Sequence, residues 1–262
     1  MSIDSAAEEV LHGRIVDEAT RLIEAASASA LHLRVTGSIA VRMHCPDHAS
    51  LLDALGRRRF RDIDFWGYAK EQKQIEHLLE KDGYLADPTI KQAHEWGVKR
   101  LIYQNPETHI KIDVFMDELV MAHTIPFKGR LELDFPTIGL ADLLLSKVQI
   151  HEITENDLID TIVLLAEHDL GPGDAELIDT EYLVHLLRND WGFTYTALGN
   201  LNRCAEALAR YAVPSQVADR IGIRIRALVE QIEAAPKGTR WKLRAFVGTR
   251  AKWYEDVDEV NR

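Results

Sequence analysis

The stretch that decides the reading of this chain runs from Arg57 to Gly67, "RRRFRDIDFWG". Four arginines within five positions lead into Asp62-Ile63-Asp64, after which the chain turns apolar and aromatic. As a strand the segment alternates, so Asp62 and Asp64 leave one face while Ile63 and Phe65 leave the other. Two rises of ~3.3 Å put the two acidic Cα atoms about 6.6 Å apart. Like charges that close repel, and desolvating them costs several kcal/mol unless something neutralises them. The rest of the chain has to supply that neutralising partner, and two candidates are the neighbouring arginines and a bound metal.

Working outward, the pattern N-terminal to this strand is mixed. Val10, Ile15, Ala19, Leu22 and Ile23 fall at helical spacing, which predicts a helix over Ile3–Ala28 with Asp4 or Ser5 as its cap. "LHLRVT", Leu31 to Thr36, alternates like a strand and ends at Gly37-Ser38, and a short helix follows over Ile39–Met43. Cys45–Leu55 reads as loop with a helical turn. Beyond the opening strand, Glu71–Lys81 reads as a helix closed by Asp82-Gly83-Tyr84. "RLIYQ" (100–104) and "HIKIDVF" (109–115) read as strands joined by the turn "NPET", with further strand over 122–133.

After Pro136 five successive segments carry helical periodicity and none reads as strand, with "GPGD" at 171–174 the one clear linker. The expected architecture is α+β: a mixed sheet with flanking helices over residues 1–135, then an all-helical domain over 136–262.

Composition sets limits on function. A formal net charge of −11 argues against a surface coated for non-specific nucleic-acid binding, although Lys237–Lys252 carries six Lys/Arg and no acid. Two cysteines are too few for a disulfide framework, and the acidic N-terminal stretch has no signal-peptide pattern. No apolar run approaches the roughly 20 residues of a membrane helix. The expectation is a cytoplasmic protein without membrane contact.

Three features then converge. Gly37-Ser38 stands at a strand end before a helix, where glycine admits close approach and free N–H groups can hold phosphate. Asp62 and Asp64 share a strand face. Asp113, in "KIDVF", repeats the device of one acid in an apolar strand. Carboxylates arranged this way can hold two cations about 3.5–4 Å apart, the separation used in phosphoryl and nucleotidyl transfer. Mg²⁺ suits them, since it takes carboxylates, waters and substrate phosphates.

This ordered set, G-S, D-x-D and a third D, resembles the nucleotidyltransferase superfamily typified by DNA polymerase beta. The resemblance implies that Gly37 and Ser38 contact the triphosphate, that Asp62 and Asp64 ligate Mg²⁺ (two ions), and that Asp113 is metal ligand or general base. The chain looks closest to the AbiEii-type group, through "ADLLLSKVQI" and "NDLID". That likeness implies nucleotide binding by Lys147 and Asp157, with Asp160 closing the group's K-D-x-x-D helix. The implied partners are an NTP, an acceptor hydroxyl on RNA (a tRNA 3′ end among them) or on a small molecule, and, because the group contains toxins, an antitoxin protein. The other functional class is a catalytically inactive nucleotide- or partner-binding module of the same fold. Two departures stand out. Twenty-three residues separate Ser38 from Asp62, with "HCPDHASLLDALGR" (44–57) reading as a surface insertion, and Asn156 stands where the group has lysine.

Plainer readings accompany each residue. Asp62 and Asp64 can pair with Arg57–Arg61 on a solvent-facing strand, and Asp113 can share an exposed row with His109 and Lys111. Lys147 can be an ordinary helix lysine with its head in solvent, and Asp157 can serve a helix N-terminus capped by Thr154. Arg57, Arg58, Arg59 and Arg61 suit phosphate or a solvated loop equally. Cys45-x-x-His48 is half a zinc motif with no second pair at a suitable spacing. Asp190-Trp191-Gly192 reads as a helix cap with a packing anchor. Residues 237–252, with Trp241 and Trp253 nearby, suit either RNA or a solvated amphipathic helix.

Overall fold

The computed structural model describes residues 3–57, 62–88, 100–173 and 176–256, with side chains from residue 13 onward. The expected capping by Asp4 or Ser5, the roles of Arg58, Arg59 and Arg61, and Asp174 of the linker lie outside what is described.

Two compact units emerge, each discontinuous in sequence. The first comprises Met1–Met43, Arg58–Leu119 and Pro126–Ile138, and the second His44–Arg57, Val120–Ile125 and Gly139–Arg262. The first unit is built on a five-stranded mixed sheet: β1 (Leu33–Val35), β2 (Asp62–Gly67), β3 (Leu85–Ala86), β4 (Arg100–Gln104) and β5 (Lys111–Met116), in the order β1-β2-β5-β4-β3. Only β2 and β5 run parallel; the other pairings are antiparallel. Period-two alternation gives the sheet two unlike faces. Leu33, Val35, Ile63, Phe65, Leu101, Tyr103, Ile112 and Val114 are buried on one, the side of α1 (Ile3–Ala28) and α4 (Gln72–Lys81), which supply Ile15, Leu22, Ile23, Ile75 and Leu79 to the core. The other face carries Asp62, Asp64, Lys111, Asp113 and Arg100. Trp66 also lies on it, yet is fully buried because Phe127 stacks on its ring at 3.7 Å.

Local signals explain where the elements stop. Helix α4 ends in a Schellman turn: Gly83, at φ +84°, donates to Glu80 O, and Tyr84 N donates to Leu79 O. Between β1 and β2 lie α2 (Gly37–His44) and α3 (Ala49–Ala54). The short strands β6 (Glu118–Val120) and β7 (Thr124–Pro126) follow β5.

The second unit is mainly helical, with α5 (Leu140–Val148), α6 (Glu155–Glu167), α7 (Thr180–Leu187), α8 (Trp191–Leu208), α9 (Ser215–Ala234) and α10 (Thr239–Val247). Every residue of α5 is buried, as befits a helix apolar around most of its circumference. The expected caps are present: Thr154 Oγ1 accepts from Asp157 N, and Asp190 accepts from Phe193 N. The helical half also contains two short parallel strands, β8 (Asp169–Gly171) and β9 (Leu177–Asp179), which flank the glycine-proline linker. Three-residue strands carry too few positions for a two-residue period to register. Residues 44–57 are not a surface insertion. Cys45, Leu51 and Leu52 are buried within the second unit, so the segment supplies core. Among the described residues no helix is long and apolar enough to cross a membrane.

Candidate active site

The face that carries the acids is assembled by register. Parallel pairing of β2 with β5 sets Asp64 directly opposite Asp113 and Asp62 opposite Lys111. Neighbouring strands lie about 4.8 Å apart, so Asp64 and Asp113 are adjacent like charges, an arrangement that destabilises a sheet unless compensated. The compensation at Asp113 comes from a residue that sequence reasoning missed. Arg100, diagonal to it on β4, donates from Nη2 to Asp113 Oδ2 at 2.5 Å, and its guanidinium carbon lies 5.2 Å from the Phe115 ring centre. Stacking on Phe115 holds the fork in place, while Arg100 Nε is buried without a partner.

Gly37 closes the site from above. It sits at φ +68°, in the left-handed region, and a Cβ built on it would lie 2.6 Å from Asp64 Oδ2. Glycine is required there twice over, for backbone conformation and for room beside a carboxylate. The turn is pinned because Thr36 N donates to Asp64 O at 2.9 Å, tying the residue before Gly37 to β2. Ser38 then enters the first turn of α2, which Ile39, Ala40 and Val41 anchor in the core. The first unit thus collects Gly37, Ser38, Asp62, Asp64 and Asp113, and the spacer of twenty-three residues does not displace the Gly-Ser turn.

Lys147, Asp157 and Asp160 belong to the second unit, together with Arg57. Lys147 Nζ lies 2.8 Å from Asp160 Oδ2 and 3.2 Å from Asp157 Oδ1. Arg57 grips Asp160 in bidentate fashion, Nε to Oδ1 at 2.6 Å and Nη2 to Oδ2 at 2.9 Å. Asp157 also accepts from Thr154 Oγ1 at 2.6 Å, so its carboxylate and its N–H both serve the cap of α6. Burial by itself would push Lys147 down and Asp160 up. The mutual attraction of Lys147 with Asp160 and Asp157, and of Asp160 with Arg57, outweighs it, so the lysine is held above and the aspartate below their ordinary ranges. Two cations and two carboxylates make the cluster neutral, and Lys147 retains 7% of its surface exposed. Arg57, read from the sequence as a phosphate or loop residue, is a half-buried ion-pair partner of Asp160.

The remaining candidates separate. Cys45 is buried, which drives its thiol above the usual range, and His48 Nδ1 pairs instead with Glu167 Oε2 at 2.6 Å. Among the described residues no three His, Cys, Asp or Glu side chains stand as a ready metal cage. Asp62, Asp64 and Asp113 nevertheless share one sheet face and offer only oxygen, the donor type hard cations take, and Gly37 leaves the Asp64 carboxylate its space. An open groove of about 660 Å³ in the second unit is lined by His151, Leu158, Arg203, Glu206 and Arg210, and includes none of these carboxylates.

No protein-family model matches the chain, and neither does any curated protein. Among solved structures it is similar to the crystal structure of the lincosamide antibiotic adenylyltransferase LnuA with lincomycin bound, at 18% identity and a TM-score of 0.37 over 55% of this chain and 92% of that one. A likeness so slight carries no functional argument, and the chemistry has to come from the residues themselves.

Proposed function

We propose that the first unit transfers a nucleoside monophosphate from an NTP to an acceptor hydroxyl, with Mg²⁺ held by Asp62, Asp64 and Asp113. The observation that carries this reading is the Gly37 turn, left-handed and seated on the Asp64 carboxylate, with Asp113 in register on the next strand. A Gly-Ser turn opening a helix beside Asp64, with Asp62 and Asp113 on the same sheet face, supplies what such a transfer needs: N–H donors for phosphate and oxygen ligands for the cations that neutralise it. Magnesium, when bound there, would lower the charge on the phosphates and the pKa of the attacking hydroxyl. Ser38 and the first turn of α2 would hold the triphosphate, and Asp113 would ligate metal or accept the acceptor proton. For Lys147, burial and pairing with Asp160 and Asp157, and for Asp157 the Thr154 cap, support a structural role rather than contact with phosphate. Both acceptor classes remain in play. The packing of Trp253 between His151 and Tyr195 removes one expected base-stacking surface and favours a small acceptor over RNA.

Arg100 supports a second reading. By pairing with Asp113 it neutralises one of the three carboxylates from within the protein, as a non-catalytic nucleotide- or partner-binding module would. Incubation with each α-labelled NTP and Mg²⁺, with total RNA and a pool of hydroxylated small molecules as acceptors, separates the two. Transfer should appear with the native chain and vanish in Asp64→Ala. Metal-dependent stabilisation by NTP without any transfer would favour a nucleotide-binding module, and the absence of both transfer and stabilisation would leave only a partner-binding scaffold.

A further inference from the structure

Helix α10 is built inside out. Trp241, Arg244 and Ala245 lie on its half-covered side, and the Trp241 Nε1 is buried. Arg244 is consumed internally: its guanidinium stacks on Trp191 at 4.6 Å and donates to the carbonyls of Gly248, Ala251 and Lys252. Leu243, Phe246 and Val247 fall at i, i+3 and i+4, so they form one stripe, and it points to solvent. They are 66%, 83% and 40% exposed, although burying such side chains is worth about 1.5–3 kcal/mol each. Helical spacing places Arg240 along the Val247 edge of the stripe and Lys242 along the Phe246 edge. Between Lys237 and Lys252 there is no acid at all.

We infer that this stripe docks an amphipathic helix of a partner protein, one whose own apolar stripe is flanked by Asp and Glu. A narrow apolar seam with charges on both borders is the pattern that sets pairing between helices, and the basic borders call for acidic ones opposite. A second copy of the same stripe would set Arg240 and Lys242 against like charges. A bilayer offers no match either: two and a half turns with three apolar side chains make a small insertion. Single-stranded nucleic acid would use several outward rings, and here Phe246 is the one ring the stripe presents, Trp241 and Trp253 being packed against the body. None of this depends on the carboxylates of the first unit.

The test uses the full chain and two synthetic helical peptides with leucine along one stripe, one flanked by glutamate and its twin by lysine. Fluorescence anisotropy should show the glutamate peptide binding, more weakly as salt rises, and the lysine twin not binding. Phe246→Ser should weaken binding by about tenfold or more, as the loss of a central anchor does. The pair Arg240→Glu and Lys242→Glu should transfer the preference to the lysine twin. Because Phe246 projects into solvent, its replacement leaves the fold intact, which circular dichroism checks. The inference fails if the glutamate peptide does not bind, if both peptides bind alike, or if Phe246→Ser changes nothing. It also fails if phosphatidylglycerol vesicles or an oligouridine, rather than the glutamate peptide, show the Phe246-dependent binding.

Discussion

Replacing Gly37 by alanine tests the heart of the candidate site. The new methyl would meet two obstacles, a backbone at φ +68° and the Asp64 Oδ2 at 2.6 Å, where ordinary contact begins at 3.4 Å. Left-handed backbone costs a residue with a side chain about 1–2 kcal/mol. Forcing the carboxylate aside adds about 1–2 kcal/mol, the usual scale of overpacking. The sum, about 3 kcal/mol, should lower the melting temperature of the first unit by about 12 °C, at roughly 4 °C per kcal/mol for a unit of its size. The two parts can be separated with Asp64→Ala, which removes the obstructing oxygen. In that background Gly37→Ala should cost only its backbone share, about 1–2 kcal/mol. Thermal unfolding of the four proteins in EDTA, followed by circular dichroism, gives the coupling directly. Equal penalties in both backgrounds would refute the placement of Asp64 against Gly37, and with it the basis for grouping the Gly-Ser turn with the carboxylates.

Lys147→Met should lower the stability of the second unit by about 3 kcal/mol in denaturant unfolding, since it strips a cation from the buried Asp160, which Arg57 alone then balances. A lysine that instead served mainly to hold triphosphate would leave stability unchanged and abolish NTP binding. Asp160, held below its ordinary value of 3.8, contributes stability that is present above that value and lost as pH falls through its folded one, so Asp160→Asn should blunt acid unfolding at the lowest pH while destabilising the neutral protein. His123 acts higher on the scale. Burial, with its ring flat on Phe193 and its Nε2 on Thr196, pushes its pKa down from 6.5 to about 4. Between those values the unfolded chain takes up a proton that the folded one refuses, so stability falls with pH by up to about 3 kcal/mol. A His123→Phe variant should flatten that part of the profile of melting temperature against pH, and an unchanged slope would exclude the histidine as its source.

Much of this protein follows from periodicity and end signals. The sequence predicts α1 at Ile3–Ala28 and β4 at Arg100–Gln104, and the structure has both at those bounds. It also predicts the caps at Thr154 and Asp190 and the single face shared by Asp62 and Asp64. These are properties of one element at a time: a side chain's direction is fixed by its own backbone, and a cap by residues three positions away. What answers the charges is not local. Asp113 stands opposite Asp64 because β2 and β5 pair in one register, and a shift by one residue would have turned it to the other face. Arg100 reaches it only through the β4–β5 pairing, and the cation of Asp160 proves to be Arg57, 103 residues earlier, together with Lys147. The arginine-rich run beside the acids pointed to a local neutralisation, whereas Arg57 went to a different carboxylate in a different unit. Likewise, composition marked residues 237–252 as basic, but only packing decided that Trp241 would turn inward and Phe246 out. Sequence fixes the face each group takes on its own strand or helix; the partner across the gap depends on register and on contacts between distant segments, where burial makes an unpaired charge too costly to leave.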